Sequence, residues 1–554
     1  MTTAASFDQF DADESAQSSR EDGVTTWFTK LLCLLEAIAD RANPILVKET
    51  RQALKSRQFV LTFLVVLIAC WIASFAVVAI APNVYYGAEG GSMLIVYCAI
   101  LAFPLMLIVP YSAYRSLAAE QEDNTYDLLS ITALTTGQII TGKLGSAVVQ
   151  MLVYLSAVSP CIAFAFLLRG IDALTIVVLL VYFGMASLGL SMLALLVGTV
   201  AKVRYTQVLL SVLLILGLAL AFFLSIPLVG TFIYESYSFL RSTSYWVWNL
   251  AFFTLYATTF ALVHAAASAQ IAFASENRST PLRRIMVVQQ ACFLGWVAVP
   301  LLYENGIREI NGAVLVSAIF LGIYWYVMGA MLTSEWPYLS RRVQRSLPQT
   351  KMGRIFLTWF NPGPGTGYMF CVANLTMIAV IGLFLIFLFS AVAKNSPSLD
   401  QVIYFLTFGW CYIVIFLGLG RLLISLARRF IFVSMTAGFL LHIILLLVAC
   451  GTPQILAFMS LSGQYYVQYS LLHSSNPIWT LYVLADEGSA SIEAFTLSFI
   501  LVPSALIVLL LNMRTVAAEM QYQRSLLPTR VAEEEALLHP EPEIEPSNPW
   551  ENPL

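Results

Sequence analysis

The stretch of this chain richest in groups that could do chemistry runs from Glu120 to Lys143, EQEDNTYDLLSITALTTGQIITGK. Its last seven residues, Gly137 to Lys143, satisfy the GxxxxGK spacing of a loop whose backbone N–H groups and Lys cradle phosphates. Leu144 stands where such a loop needs a Ser or Thr hydroxyl for magnesium, and no strand pattern precedes it, so the match is rejected. Lys143 is read instead as anchoring a membrane helix at the lipid headgroups. Read as a helix from about Glu120, the stretch gathers Thr125, Leu128, Leu129 and Thr132 on one side. Glu120, Glu122, Asp123 and Asp127 stay solvated near its start, where negative charge suits the helix dipole. An element of this kind either docks into a groove on another protein or rests on lipid headgroups. The acidic face argues against the second, because inner-leaflet lipids are themselves anionic.

Other reactive side chains form no constellation. His264 and His442 sit in apolar runs and His473 and His539 in loops, none with a second His, Cys or carboxylate at ligand spacing. Each is read as a packed or solvated imidazole, and no catalytic residue, metal or cofactor is expected. The eight cysteines show no CxxC spacing and lie almost entirely in apolar runs, as small packing residues do.

These residues have to be positioned by membrane helices. The chain has 554 residues, of which 59% are hydrophobic and 11% charged, whereas soluble chains carry about 25% charged residues. The net charge of -3 is unremarkable and nucleic acid is not expected as a partner. About 20 apolar residues cross the hydrocarbon layer as a helix, which predicts spans near 58–81, 92–113, 144–168, 173–200, 206–229, 246–273, 285–303, 312–332, 367–392, 401–420, 431–450 and 494–513. Twelve spans put both termini on one side. With that side inside, the outer stretches hold only Arg169, Arg241, Arg308 and Lys394 of the 29 Lys and Arg residues, as the positive-inside rule requires.

The expected fold is therefore an all-α integral membrane protein of about twelve transmembrane helices in two six-helix halves, with interface and coupling helices at the cytoplasmic side. Residues 1–25, acidic and Ser-rich without a signal-peptide pattern, form a disordered cytoplasmic N-terminus, and residues 26–57 carry two short interface helices, at 27–38 and 44–57. Residues 58–273 form the first six-helix region, with the loop 114–142, and residues 274–513 the second. Residues 514–554 are a cytoplasmic tail, acidic and Pro-rich from Val531 and expected to be disordered there. The outer segment 451–493, with Trp479 and several tyrosines, is either interfacial or partly re-entrant. Each half has its longest inner loop after its second span, but the first loop is acidic and the second (333–366) basic, so the sequence asserts no repeat. Ser187, Ser191, Ala194 and Gly198 make a smooth stripe on the fourth span, by default for packing within the chain. The basic run Arg341, Arg342, Arg345, Lys351 and Arg354 reads as positive-inside anchoring.

The segment between the second and third spans is similar to the cytoplasmic coupling region of ABC-2 type permeases, the membrane subunits of ATP-binding cassette transporters. Glu120, Glu122, Thr125, Leu128, Leu129, Gly142 and Lys143 carry the likeness, together with Asn43 to Glu49 and Arg51 before the first span. The resemblance covers roughly residues 41–273. Asn124 replaces the family's usual Gly, and Ala133 its usual Pro, which favours a longer helix less sharply ended. It implies an exporter driven by a separate cytoplasmic ATPase, which docks on Glu120, Glu122, Thr125, Leu128 and Leu129, while Glu49 and Arg51 tie the interface helix to the first span. Since only the first half carries the pattern, a homodimer is expected, surrounded by membrane lipid and located in a bacterial inner membrane. The competing classes are a secondary transporter, a polytopic membrane enzyme and a membrane assembly or scaffold protein. The absence of carboxylates central to any span disfavours the first, and the lack of a His, Asp or Glu cluster the second.

Overall fold

In a bilayer no water satisfies the backbone, so a lipid-exposed apolar run has to close its own hydrogen bonds as a helix. The computed structural model describes residues 43–80, 90–122, 134–200, 204–273, 275–302, 306–345, 358–389, 397–460, 469–489, 493–522 and 529–539. Among these, twelve helices are long and apolar enough to cross a membrane. The chain divides into two compact units, Met1–Ile271 and Ala272–Leu554.

The first unit begins with α1 (Pro44–Lys55). Asn43 caps it by accepting from Ile45 N at 3.1 Å, and Pro44 occupies the first turn, where its missing N–H costs nothing. Then follow α2 (Arg57–Ile80), α3 (Gly90–Phe103), α4 (Val109–Glu122), α5 (Thr136–Leu167), α6 (Ala173–Val200), α7 (Arg204–Phe239) and α8 (Thr243–Ile271). A π turn at Pro104–Ile108, opened by a proline that lacks the donor an α-helix needs, joins α3 and α4 into one membrane span. Within the unit α2 packs on α3 and α5; the α3–α4 span packs on α5, α6 and α7; α5 and α7 flank α6; and α8 lies against α5 and α6. The small-residue stripe of α6 is buried against α4: a Cβ at Gly198 would lie 3.3 Å from Leu117 Cδ2. By contrast Leu209, Leu213, Leu216, Leu220 and Phe223 of α7 are exposed. Water does not tolerate so long an uncovered apolar face, whereas lipid does.

The second unit contains α9 (Thr280–Leu302), α10 (Ile310–Thr333), the short α11 (Arg341–Arg345), α12 (Pro364–Phe389), α13 (Leu399–Ala427), α14 (Met435–Ser460), α15 (Pro477–Asp486), α16 (Ala494–Tyr522) and α17 (Thr529–Leu538). Here α9 packs on α10; α10 packs on α12, α13 and α14; α12 and α14 flank α13; and α16 lies against α12 and α13. His442 is a packed imidazole, fully buried, its Nδ1 2.9 Å from the Gly438 carbonyl and its Nε2 3.2 Å from Thr333 Oγ1.

Between α14 and α16 the chain dips alongside α13. Tyr412, roughly four turns or about 20 Å into α13, donates to the Ser474 carbonyl at 2.7 Å. Gln401, in the first turn of α13, donates to the Leu484 and Ala485 carbonyls at the far end of α15. α15 therefore starts deep against α13 and climbs to its outer end, the re-entrant alternative for segment 451–493. Irregular backbone is tolerated at that depth because protein groups satisfy it: Thr480 donates to the His473 carbonyl and the Asn476 side chain to the Cys450 carbonyl.

One expectation is corrected at the end of the chain. The tail does not run disordered from Val531, because Thr529–Leu538 is helical and the run Ala532 to Leu538 consists of strong helix formers. Residues 514–522 of the expected tail continue α16, whereas residues 1–42, for which a disordered N-terminus and an interface helix at 27–38 were expected, and residues 523–528 and 540–554 lie outside the described residues.

In a variant whose native cysteines are replaced, a cysteine at Ser474 is expected to resist a membrane-impermeant maleimide added from outside. A cysteine at Glu487, exposed beyond the end of α15, is expected to react, and equal labelling at both positions would contradict the dip.

Candidate functional site

The residues singled out on either side of the first two spans meet around one ammonium group. Lys143, two turns into α5, is 2% exposed, which a membrane helix tolerates only if the charge is paired. Its Nζ donates to Glu49 Oε1 of α1 at 3.0 Å and to the Ser116 carbonyl of α4 at 3.4 Å, and lies 2.9 Å from Glu120 Oε2. Lys48 of α1 adds a second cation to Glu120 at 3.3 Å from the exposed edge. Two carboxylates and two ammonium groups thus close a neutral cluster that joins the interface helix, the exit of the second span and the start of the third.

The local sequence explains why these helices come so close. A Cβ at Gly142 would lie 2.9 Å from Ile45 Cβ, and one at Gly145 only 2.7 Å from Leu46 Cδ1, so α1 lies on α5 where side chains are missing. Thr135 caps α5 in a reciprocal box with Gln138, and the Asn43 amide donates to the Gln138 carbonyl. Asn43 therefore caps the start of α1 and ties it to α5. Thr141 and His264 Nε2 are 3.1 Å apart on the other side of α5.

The sequence-derived site is partly rearranged. Glu120 and Glu122 lie in α4, continuous with the second span, and not in the first turn of a separate helix. Glu49 binds the third span through Lys143 and not the first span, and Arg51 is exposed on the outer face of α1. Thr125, Leu128 and Leu129 lie outside the described residues. Lys143 is buried and paired, not anchored at the headgroups; the glycines at 142 and 145 were the sequence signal that its face meets another backbone. The GxxxxGK match belongs to the capped helix α5, where no phosphate-binding loop can form.

Sequence reading missed two ionic ties in the second unit. Arg283 of α9, with no exposed surface, donates to Ser279 Oγ, Glu335 Oε2, Thr366 Oγ1 and the Trp359 and Gly363 carbonyls, which uses all of its donors. Glu335, just past α10, also accepts from Gly363 N at 2.8 Å. Arg421 of α13 pairs with Glu519 of α16, which accepts in addition from Gly365 N at the start of α12. The predicted spans ended short of Arg421 and Glu519, so the two were counted as loop residues. Among the described residues no group of three His, Cys, Asp or Glu side chains is placed to hold a metal ion.

Comparison of the chain with models of protein families, with curated proteins and with solved structures gives no match.

Replacing Lys143 by Met leaves Glu49 and Glu120 facing each other without their cation, a change that costs about 3–5 kcal/mol when a buried pair is broken. Thermal unfolding in detergent is expected to show a large loss for K143M and partial recovery for K143M/E49Q. An unchanged midpoint in K143M would refute the cluster's structural role.

Proposed function

We propose that the chain is the permease subunit of an ABC-2 type transporter, exporting a largely apolar substrate when a separate cytoplasmic ATPase hydrolyses ATP. The observation that carries this reading is the Lys143 cluster. A docked motor has to move membrane helices, and a contact on the loop 123–135 can do so only if its two ends are fixed to the helices beside them. Glu120 at one end and Lys143 at the other are joined directly, and Glu49 adds the interface helix, so a pull on the loop shifts α1, α4 and α5 as one lever.

In this mechanism Thr125, Leu128 and Leu129 make the apolar contact with the motor. Glu122 supplies charge at its edge, and Glu120 positions the loop from within the cluster. Nucleotide binding in the partner biases which of two helix packings is populated, and the permease supplies the path. An open, largely apolar cleft in each unit suits an apolar cargo. In the first unit a cavity of about 740 Å³ is lined by Leu179, Tyr182, Phe183, Phe232, Phe252 and Tyr256 among others. In the second a cavity of about 680 Å³ is lined chiefly by aliphatic and aromatic side chains, including Trp410, Tyr412 and Ile478. Both volumes fall within the ~300–1,000 Å³ typical of ligand pockets. A proton- or cation-coupled carrier would need ionisable groups along that path; Glu235 lines the first cleft only near the end of α7, and the buried ion pairs described above sit near helix ends, each bonded to its counter-charge.

Copurification of the chain with its ATPase followed by assay of substrate-stimulated hydrolysis tests the reading. Exchange of Thr125, Leu128 and Leu129 for Glu is expected to abolish ATPase association and transport with the permease still folded and in the membrane. Undiminished association and transport in that variant would refute it.

A further inference from the structure

We propose that the second unit repeats the architecture of the first, so that one chain supplies both permease halves and offers the ATPase a second docking point, at Arg341 and Arg342 of α11. The partner half rests on the function proposed above; the duplication rests on packing alone.

Matching α2, the α3–α4 span, α5, α6, α7 and α8 in order with α9, α10, α12, α13, α14 and α16 pairs the six spans of each unit. Every principal span-to-span packing in the second unit then has its counterpart in the first. The span at the centre, α3–α4 or α10, touches the first, third, fourth and fifth helices of its unit; the sixth leans on the third and fourth in both. The order of apolar segments does not impose this, since six helices joined by loops can pack in many other ways.

The ionic ties recur in place although not in residue type. In the first unit Glu120, at the exit of the second span, is bonded to a cation at the start of the third, which also holds the helix before the first span. In the second unit Glu335, at the exit of the second span, is bonded to Arg283 at the start of the first, and both hold the chain leading into the third through Gly363. Each arrangement locks three helix ends together where the chain leaves the second span, beside Glu122 in the first unit and beside α11 in the second. A contact made beside such a tie transmits force to three helices, so α11 has the same mechanical qualification as the segment that follows Glu122. Its charge is opposite: Arg341 and Arg342 of α11 are exposed there, with Lys351 and Arg354 further along the sequence. The partner it fits is an ATPase subunit presenting an acidic rim. In place of the homodimer expected from the sequence, one permease chain then carries two ATPase subunits.

Native mass spectrometry of the permease co-expressed with its ATPase and extracted in mild detergent tests this. The expected complex holds one permease chain and two ATPase chains. R341E/R342E is expected to lose one ATPase and keep the other, and the Thr125, Leu128 and Leu129 exchange to lose the complementary one. Two permease chains per complex, or two ATPases retained by R341E/R342E at wild-type yield, would overturn the proposal. If the wild type captures no ATPase, the functional reading fails. The duplication is then decided by the permease alone: a single chain per particle supports it and a stable pair overturns it.

Discussion

A charge withdrawn from water inside a membrane protein has to find its counter-charge, and here that requirement is met at the ends of the helices. Lys143, Arg283 and Arg421 are each buried, and each is bonded to a carboxylate from a different helix. Such pairs add little net stability over well-packed apolar side chains, because desolvation cancels much of the attraction. What they provide is geometry. An ammonium with two carboxylates and a backbone carbonyl around it fits one arrangement of α1, α4 and α5, and a guanidinium with every donor engaged fits one arrangement of α9, α10 and the start of α12.

Close backbone approach is the second condition. Gly142 and Gly145 let α1 lie on α5 near enough for Glu49 to reach Lys143, and Gly365 lets the start of α12 reach Glu519, where a Cβ would clash with both that carboxylate and Arg421. On α7, by contrast, Gly217 and Gly230 meet no neighbour and a long apolar face stays exposed. The ionic ties and the small residues thus form a single device, with packing bringing the charges together and the charges holding the packing in register. A helical interior joined this way is suited to discrete rearrangement, since a shift of any one helix end disturbs its partners.

Much of this was legible in the amino-acid order. Hydropathy is a sum over neighbouring residues, so the positions of the membrane helices and of the short helix at 44–57 could be read directly. The residues that meet at the first cluster were also picked out, through Asn43 to Glu49, Glu120 and the Gly142–Lys143 pair. Their relation to one another was not legible. Lys143 looked like a headgroup anchor because its own neighbourhood is that of a helix end, and Glu120 looked like the first turn of a helix because acidic residues usually are. Arg283, Arg421, Glu335 and Glu519 drew no attention, since each looks alone like an ordinary interfacial charge.

The sequence by itself determined that this is a multi-pass helical membrane protein and roughly where each helix runs, because burying a peptide backbone in hydrocarbon is a local cost met within a single helix. Tertiary structure alone decided which charges pair and that the segment after α14 turns back along α13. Glu49 and Lys143 are 94 residues apart, and no local rule brings two such groups together. Their meeting depends on how closely several helices can approach, which only the packing of all of them decides.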